Sequence, residues 1–196
     1  MADKADLLSY AAGSMRAATR LEGLIRRTPL IAANAIGDGL YFKCENFQLG
    51  NSFKARGAFS KLTALEEIGD RSETITASSG NHGVASSIAA RRLGRALSVV
   101  LPHNVSPAKL RRIQDLGVET ILHGAESGEA EIFARAESAR RGLVYVSPYN
   151  DPDIVAGQGT IGVELMSDLS RIDTVFISMG GGGLIGGIGA VLKSFR

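Results

Sequence analysis

The chain alternates short apolar runs with longer amphipathic stretches. Leu7, Leu8, Ala11, Ala12, Met15, Ala18 and Leu21 recur at a loose helical period, which predicts a helix over 6–21. Thr28-Pro29-Leu30 closes that region, because proline biases its predecessor to extended backbone. A strand is predicted over 40–45 and a helix over 54–65. Strands are then predicted at 74–77, 97–101, 119–122 and 143–147, with helices at 83–93, 107–116 and 129–140 between them. Gly94, Gly117 and Gly142 follow those helices as C-terminal caps do. A helix over 154–168, a strand over 174–178, a glycine loop and a last helix complete the pattern. Strand-helix-strand repetition argues for an α/β fold with a parallel sheet.

Composition narrows the function classes. Of 196 residues, 44% are hydrophobic, enough for a sizeable core. The net charge of +2 gives no reason to expect nucleic acid. Arg91-Arg92 and the trio Lys109, Arg111 and Arg112 read as solvated helix faces. Cys44 is the only cysteine, so no intrachain disulfide forms, which fits a reducing, cytoplasmic setting. Three scattered histidines provide no zinc-like cluster, and no metal site is expected. The start, Met1-Ala2-Asp3-Lys4-Ala5-Asp6, lacks the pattern of a signal peptide. The charge-free stretch 175–192 is long enough for a bilayer but holds seven glycines. A strand, a glycine turn and a helix explain it better than a membrane span, and no membrane partner is expected.

Three segments carry candidate chemistry. The first is the run from Glu45 through Gly50-Asn51-Ser52-Phe53-Lys54-Ala55-Arg56-Gly57-Ala58. A lysine amine forms a Schiff base with an aldehyde cofactor such as pyridoxal phosphate, provided that it is neutral and partly buried. The second is Ser78-Ser79-Gly80-Asn81-His82-Gly83, placed after a predicted strand and before a predicted helix. Free N–H groups and the helix dipole favour an anion there, unless serine or asparagine simply caps the helix. The third is Gly180-Gly181-Gly182-Gly183, whose bare backbone permits close approach to a phosphate, or simply makes a tight turn. It lacks the lysine and hydroxyl of a nucleotide-binding P-loop.

In this order, and with Arg27-Thr28-Pro29-Leu30 and Ala156-Gly157-Gln158-Gly159-Thr160, these segments resemble the pyridoxal-phosphate-dependent serine/threonine dehydratases and serine racemases. The resemblance implies the tryptophan-synthase-β-like fold (fold type II) with two parallel-sheet domains. Residues 72–148 would form a small domain inserted between 1–71 and 149–196 of a larger one. It implies that Lys54 carries the cofactor, with Phe53 lining the cleft, Asn81 bonding the ring hydroxyl and Gly180, Gly181, Gly182 and Gly183 cupping the phosphate. Ser78, Ser79, Gly80, Asn81 and His82 would hold the substrate carboxylate, and the His82 side chain reads as ordering its loop.

The implied reaction is β-elimination from L-threonine or L-serine. Lys54 removes the α-proton, water leaves, and a 2-oxo acid and ammonia follow. Ser79 matches the second catalytic group of the racemases, which keeps serine racemisation as the alternative. Another hydroxy amino acid, such as 3-hydroxyaspartate or an ectoine-pathway substrate, is equally open. Many relatives carry glycine where Asn51 stands. Relatives also continue well past Arg196, which would fall inside the last helix. The chain is therefore expected to be truncated, with the large domain incomplete, and a non-catalytic fragment is the contrasting reading. A homodimer is implied by the resemblance.

Overall fold

Strands β3 (Thr74–Ala77) and β4 (Leu97–Leu101) are buried along their whole length, as apolar strands covered on both faces must be. They belong to a four-stranded parallel sheet of order β5-β4-β3-β6, with β5 at Glu119–Leu122 and β6 at Val144–Tyr145. Ile75, Ala77 and Val100 point to one face and pack on Ala130 and Ala134 of helix α5 (Ser127–Arg141). Val99 and Leu101 point to the other and join Phe59 and Leu62 of α2 (Lys54–Glu67) and Val84, Ala85 and Ala89 of α3 (Asn81–Leu93). Helix α4 (Pro107–Gln114) adds Ile113 to that core. These facts come from a computed structural model, which describes residues 4–195.

Helix α1 (Lys4–Arg20) packs on α6 (Pro152–Asp168) and α7 (Gly183–Ser194). Ile161, Leu165, Ile188 and Leu192 make the apolar seam between α6 and α7. Beside them, β1 (Leu30–Ala32) and β2 (Tyr41–Lys43) form an antiparallel pair. The start of α6 is capped by the Asp151 side chain, which accepts from the N–H groups of Asp153 and Ile154. Lys61 of α2 reaches back to Asp151 at 2.8 Å and Asp153 at 3.1 Å, which ties that cap to α2.

Strands 74–77, 97–101 and 119–122 lie where the apolar runs placed them. Gly94, Gly117 and Gly142 all take positive φ. Three expectations change. The strand expected over 40–45 pairs only at Tyr41–Lys43 and runs into 3-10 turns at Glu45–Phe47 and Leu49–Asn51. Its partner β1 was not foreseen, since three residues carry no readable period. The expected strand at 174–178 is absent. Its side chains do alternate, with Val175 and Ile177 packed on the α6–α7 seam and Phe176 89% exposed. A strand, however, needs a neighbouring backbone, and no described residue pairs with this one.

No helix among the described residues is long and apolar enough to cross a membrane. The expectations for Met1, Ala2 and Asp3, and for Arg196 inside the last helix, lie outside the described residues.

Candidate active site

The backbone delivers Lys54 to its place through an unusual turn. Gly50 and Asn51 both adopt left-handed conformations, with φ of 69° and 61°. Asparagine is among the few side chains that tolerate this, so Asn51 keeps the turn without glycine. Ser52 is extended, Phe53 caps the helix, and Lys54 is the first residue of α2.

Arg56 anchors that helix start. It is fully buried and forks onto both oxygens of Glu45 at 2.8 Å and onto Glu164 at 2.6 and 3.1 Å. Thr28 and Thr160 supply further acceptors. Burial works against the Arg56 charge, but the two carboxylates more than offset it and raise its pKa. The start of α2 is thus clamped between the turn after β2 and the middle of α6.

Lys54 Nζ donates to the Pro148 carbonyl at 2.6 Å and lies 5.2 Å from the centre of the Phe53 ring. Burial lowers its pKa. A lowered pKa is the direction that favours an amine nucleophile.

Lys54 opens onto a cavity of about 250 Å³ lined by residues remote in sequence. Phe53 and Tyr149 provide aromatic walls, Gln158 and Ser178 polar ones, and Gly180, Gly181, Gly182 and Gly183 bare backbone. Gly182, at φ 86°, caps α7, so the first N–H groups of that helix begin at the glycine loop. A side chain at Gly181 would fall on the Tyr149 ring, and one at Gly183 would meet the Tyr149 carbonyl at 2.7 Å. Bare glycine therefore makes this part of the cavity. An amine whose pKa is lowered by burial, aromatic walls and a helix start, all lining one cavity, suit an aromatic aldehyde bearing a phosphate. A larger cleft near β1 and β2 contains Lys43, but that amine is already paired with Glu164 and Asp168.

The segment Ser78-Ser79-Gly80-Asn81-His82 is not among the cavity's lining residues. It lies beside the cavity for a topological reason. β3 and β6 are parallel neighbours, so Ser78, just after β3, and Pro148, soon after β6, leave the sheet at the same carboxyl end of its strands. Ligands collect at such ends of parallel sheets. Gly80 caps α3 without a side-chain bond, and the Ser78 hydroxyl accepts from the Gly80 N–H at 3.2 Å. Gly83 lets the Ser78 carbonyl come within contact of the helix, where any side chain would collide. Ser78 and Ser79 are half-buried, and Gly80 and Asn81 are exposed.

His82 points inward instead. Its Nε2 meets Thr76 Oγ1 at 3.1 Å and the Val146 carbonyl at 3.2 Å. Burial, and then the Lys54 charge, push its pKa down to about 4. Its ring is therefore neutral near pH 7, and a ligand can use only its backbone N–H. Sequence reading assigned no role to Gln158, Pro148, Tyr149, Ser178 or Arg56. The signal within reach was Gln158, a polar residue set between two glycines of an apolar helix. Among the described residues no cluster of three metal-ligating side chains occurs.

Residues 21–196 match the family described as pyridoxal-phosphate dependent enzyme. The chain is 37% identical over 180 residues to an L-threonine ammonia-lyase of Thermotoga maritima, covering 90% of this chain and 45% of that protein. It is 37% identical over 181 residues to a catabolic L-threonine dehydratase of Staphylococcus aureus, covering 90% and 52%. Among solved structures, the processed threonine deaminase isoform 2 of Solanum lycopersicum superposes with a TM-score of 0.90 at 34% identity, over 98% of this chain and 53% of that one. Maize serine racemase superposes at 0.88 with 31% identity, over 95% and 58%. The chain spans about half the length of the curated relatives it matches. With an amine, a glycine loop and a fold all of this kind, the chain belongs to the family of pyridoxal-phosphate-dependent enzymes.

Proposed function

We propose that this chain builds the amine and phosphate ends of a cofactor site in a lyase that eliminates water from L-threonine or L-serine, leaving a 2-oxo acid and ammonia. The observation that carries this reading is the shared cavity of Lys54 and the glycine loop. The two relatives named as an L-threonine ammonia-lyase and an L-threonine dehydratase support the choice of reaction.

Pyridoxal phosphate, when bound, supplies the electron sink for the pair left at the substrate α-carbon. Lys54 would hold the aldehyde and, once released, would take the α-proton, a task suited to an amine whose pKa burial has lowered. Gly180, Gly181, Gly182 and Gly183 and the start of α7 would hold the phosphate, Phe53 would line the cleft and Asn81 would bond the ring hydroxyl. The N–H groups over Ser78, Ser79, Gly80, Asn81 and His82 orient the substrate carboxylate, which fixes the direction of the α-C–H bond. The division into 1–71, 72–148 and 149–196 belongs to the same proposal. The four-stranded sheet within 74–145 supports it.

Racemisation is the second reading. It is favoured by the likeness to maize serine racemase and by Ser79, half-buried in the loop beside the cavity. A hydroxyl there would return a proton on the face opposite Lys54.

The test is an absorbance spectrum of the chain after loading with pyridoxal phosphate and dialysis, alongside Lys54→Ala. A visible band retained by the wild type and lost in the variant is expected. Ammonia release from L-threonine and L-serine, and chiral analysis of serine, then separate the two reactions. A wild-type chain without the band would remove this chain as the seat of the cofactor.

A further inference from the structure

Gln158 sits in α6 at 2% exposure, and its Oε1 is buried without a hydrogen-bond partner. A buried carbonyl left unpaired costs stability, and native proteins seldom tolerate one without a use for it. Gln158 also lines the Lys54 cavity. Its carboxamide lies against Gly57, where a side chain would run into both Nε2 and Cδ. Gly57 follows Lys54 by three residues in α2, so the two share one face of that helix. The carboxamide therefore packs on the face of α2 that carries Lys54. Lys54, in turn, has several N–H donors but engages a single acceptor, the Pro148 carbonyl.

We propose that Gln158 is a positioning residue for Lys54: its carboxamide oxygen receives a Lys54 N–H once a ligand draws the amine off the Pro148 carbonyl. This rests on the cofactor reading above. Lys54 and Pro148 both line the cavity, and an amine that turns from the Pro148 carbonyl toward a ligand there exchanges one acceptor for another. No carboxylate lines the cavity to provide one. The titratable neighbours are His82 of α3, whose ring is already committed to Thr76 and Val146, and Tyr149 in the cavity wall. Ser178, the other polar side chain of the lining besides Tyr149, is exposed to solvent, which leaves Gln158 Oε1 as the buried acceptor without a partner.

The experiment compares wild type, Gln158→Met and Gln158→Glu. Each is melted without cofactor, then loaded with pyridoxal phosphate and titrated by its visible band. Methionine keeps the volume and removes the unpaired oxygen. It is expected to raise the melting temperature of the cofactor-free chain, weaken cofactor binding about tenfold and lower the pH at which the band titrates by about one unit. Glutamate is expected to raise that pH, since a negative charge favours a protonated nitrogen.

A residue that only packs α6 on α2 would show a lower melting temperature with methionine and an unmoved titration in both variants, and that result overturns the proposal. If the methionine variant does not fold, the glutamate titration decides alone, and an unshifted midpoint rejects the role. A wild-type chain that takes up no cofactor overturns the parent reading, and this one with it. A loaded wild type with indifferent variants overturns this one only.

Discussion

Arg56 is the largest fully buried side chain, and its charge is held by Glu45 and Glu164 from opposite sides. Removing it leaves two carboxylates in a poorly solvated place. Arg56→Met is therefore expected to cost about 3–5 kcal/mol, measured by urea unfolding at neutral pH. Arg56→Lys should recover only part of this, because an ammonium cannot fork onto two carboxylates at once. At this scale the sequence was readable where a residue's chemistry is intrinsic. An amine after Ser52-Phe53 is a candidate nucleophile by its own chemistry, although only burial in the fold lowers its pKa. Arg56 was not readable as an anchor, because Glu164 lies far along the chain and only folding brings it near. Gln158 stands in a family-like stretch, yet its unpaired oxygen is a property of the packed interior.

Helices α6 and α7 show how one residue type serves opposite ends along a single element. A side chain at Gly187 would collide with the Val155 carbonyl and with the Gly159 nitrogen at 2.6 Å, whereas Gly189 has nothing within 4 Å. Gly187→Ala is thus expected to destabilise by about 1–3 kcal/mol through overpacking. Gly189→Ala should stabilise by about 0.5–1 kcal/mol, since alanine restricts the unfolded chain and favours helix. Thermal or urea unfolding of the two variants checks the opposite signs. Apolar runs and capping glycines made most elements legible to within two residues at their ends, for the caps act locally. The segment at 174–178 shows the boundary of that legibility. Its alternation is written in the sequence, but the strand state depends on a neighbour that no described residue supplies.

Across the whole molecule, stability is tied to pH through His82, which joins α3 to the ends of β3 and β6. Its pKa falls from 6.5 when unfolded to about 4 in the fold, chiefly through burial. The unfolded chain therefore binds the extra proton first. The stabilisation is complete above about pH 6.5 and is lost as pH falls toward 4. Between pH 7 and pH 5 this one group should remove about 2 kcal/mol. Urea unfolding at both values, with His82→Gln as the comparison, is expected to show a slope reduced by that amount in the variant.

The sequence by itself determined the α/β class, the order of most elements, and the lysine, loop and glycine segments of the candidate site. These follow from side-chain periodicity, local capping and intrinsic reactivity, none of which needs distant partners. Only the tertiary structure decided that Lys54 faces the glycine loop, that His82 turns inward and stays neutral, and that Gln158 and Tyr149 belong to the same cavity. Each of these depends on burial and on contacts between residues about 60 to 130 positions apart, which become neighbours only when parallel strands and packed helices bring their ends together.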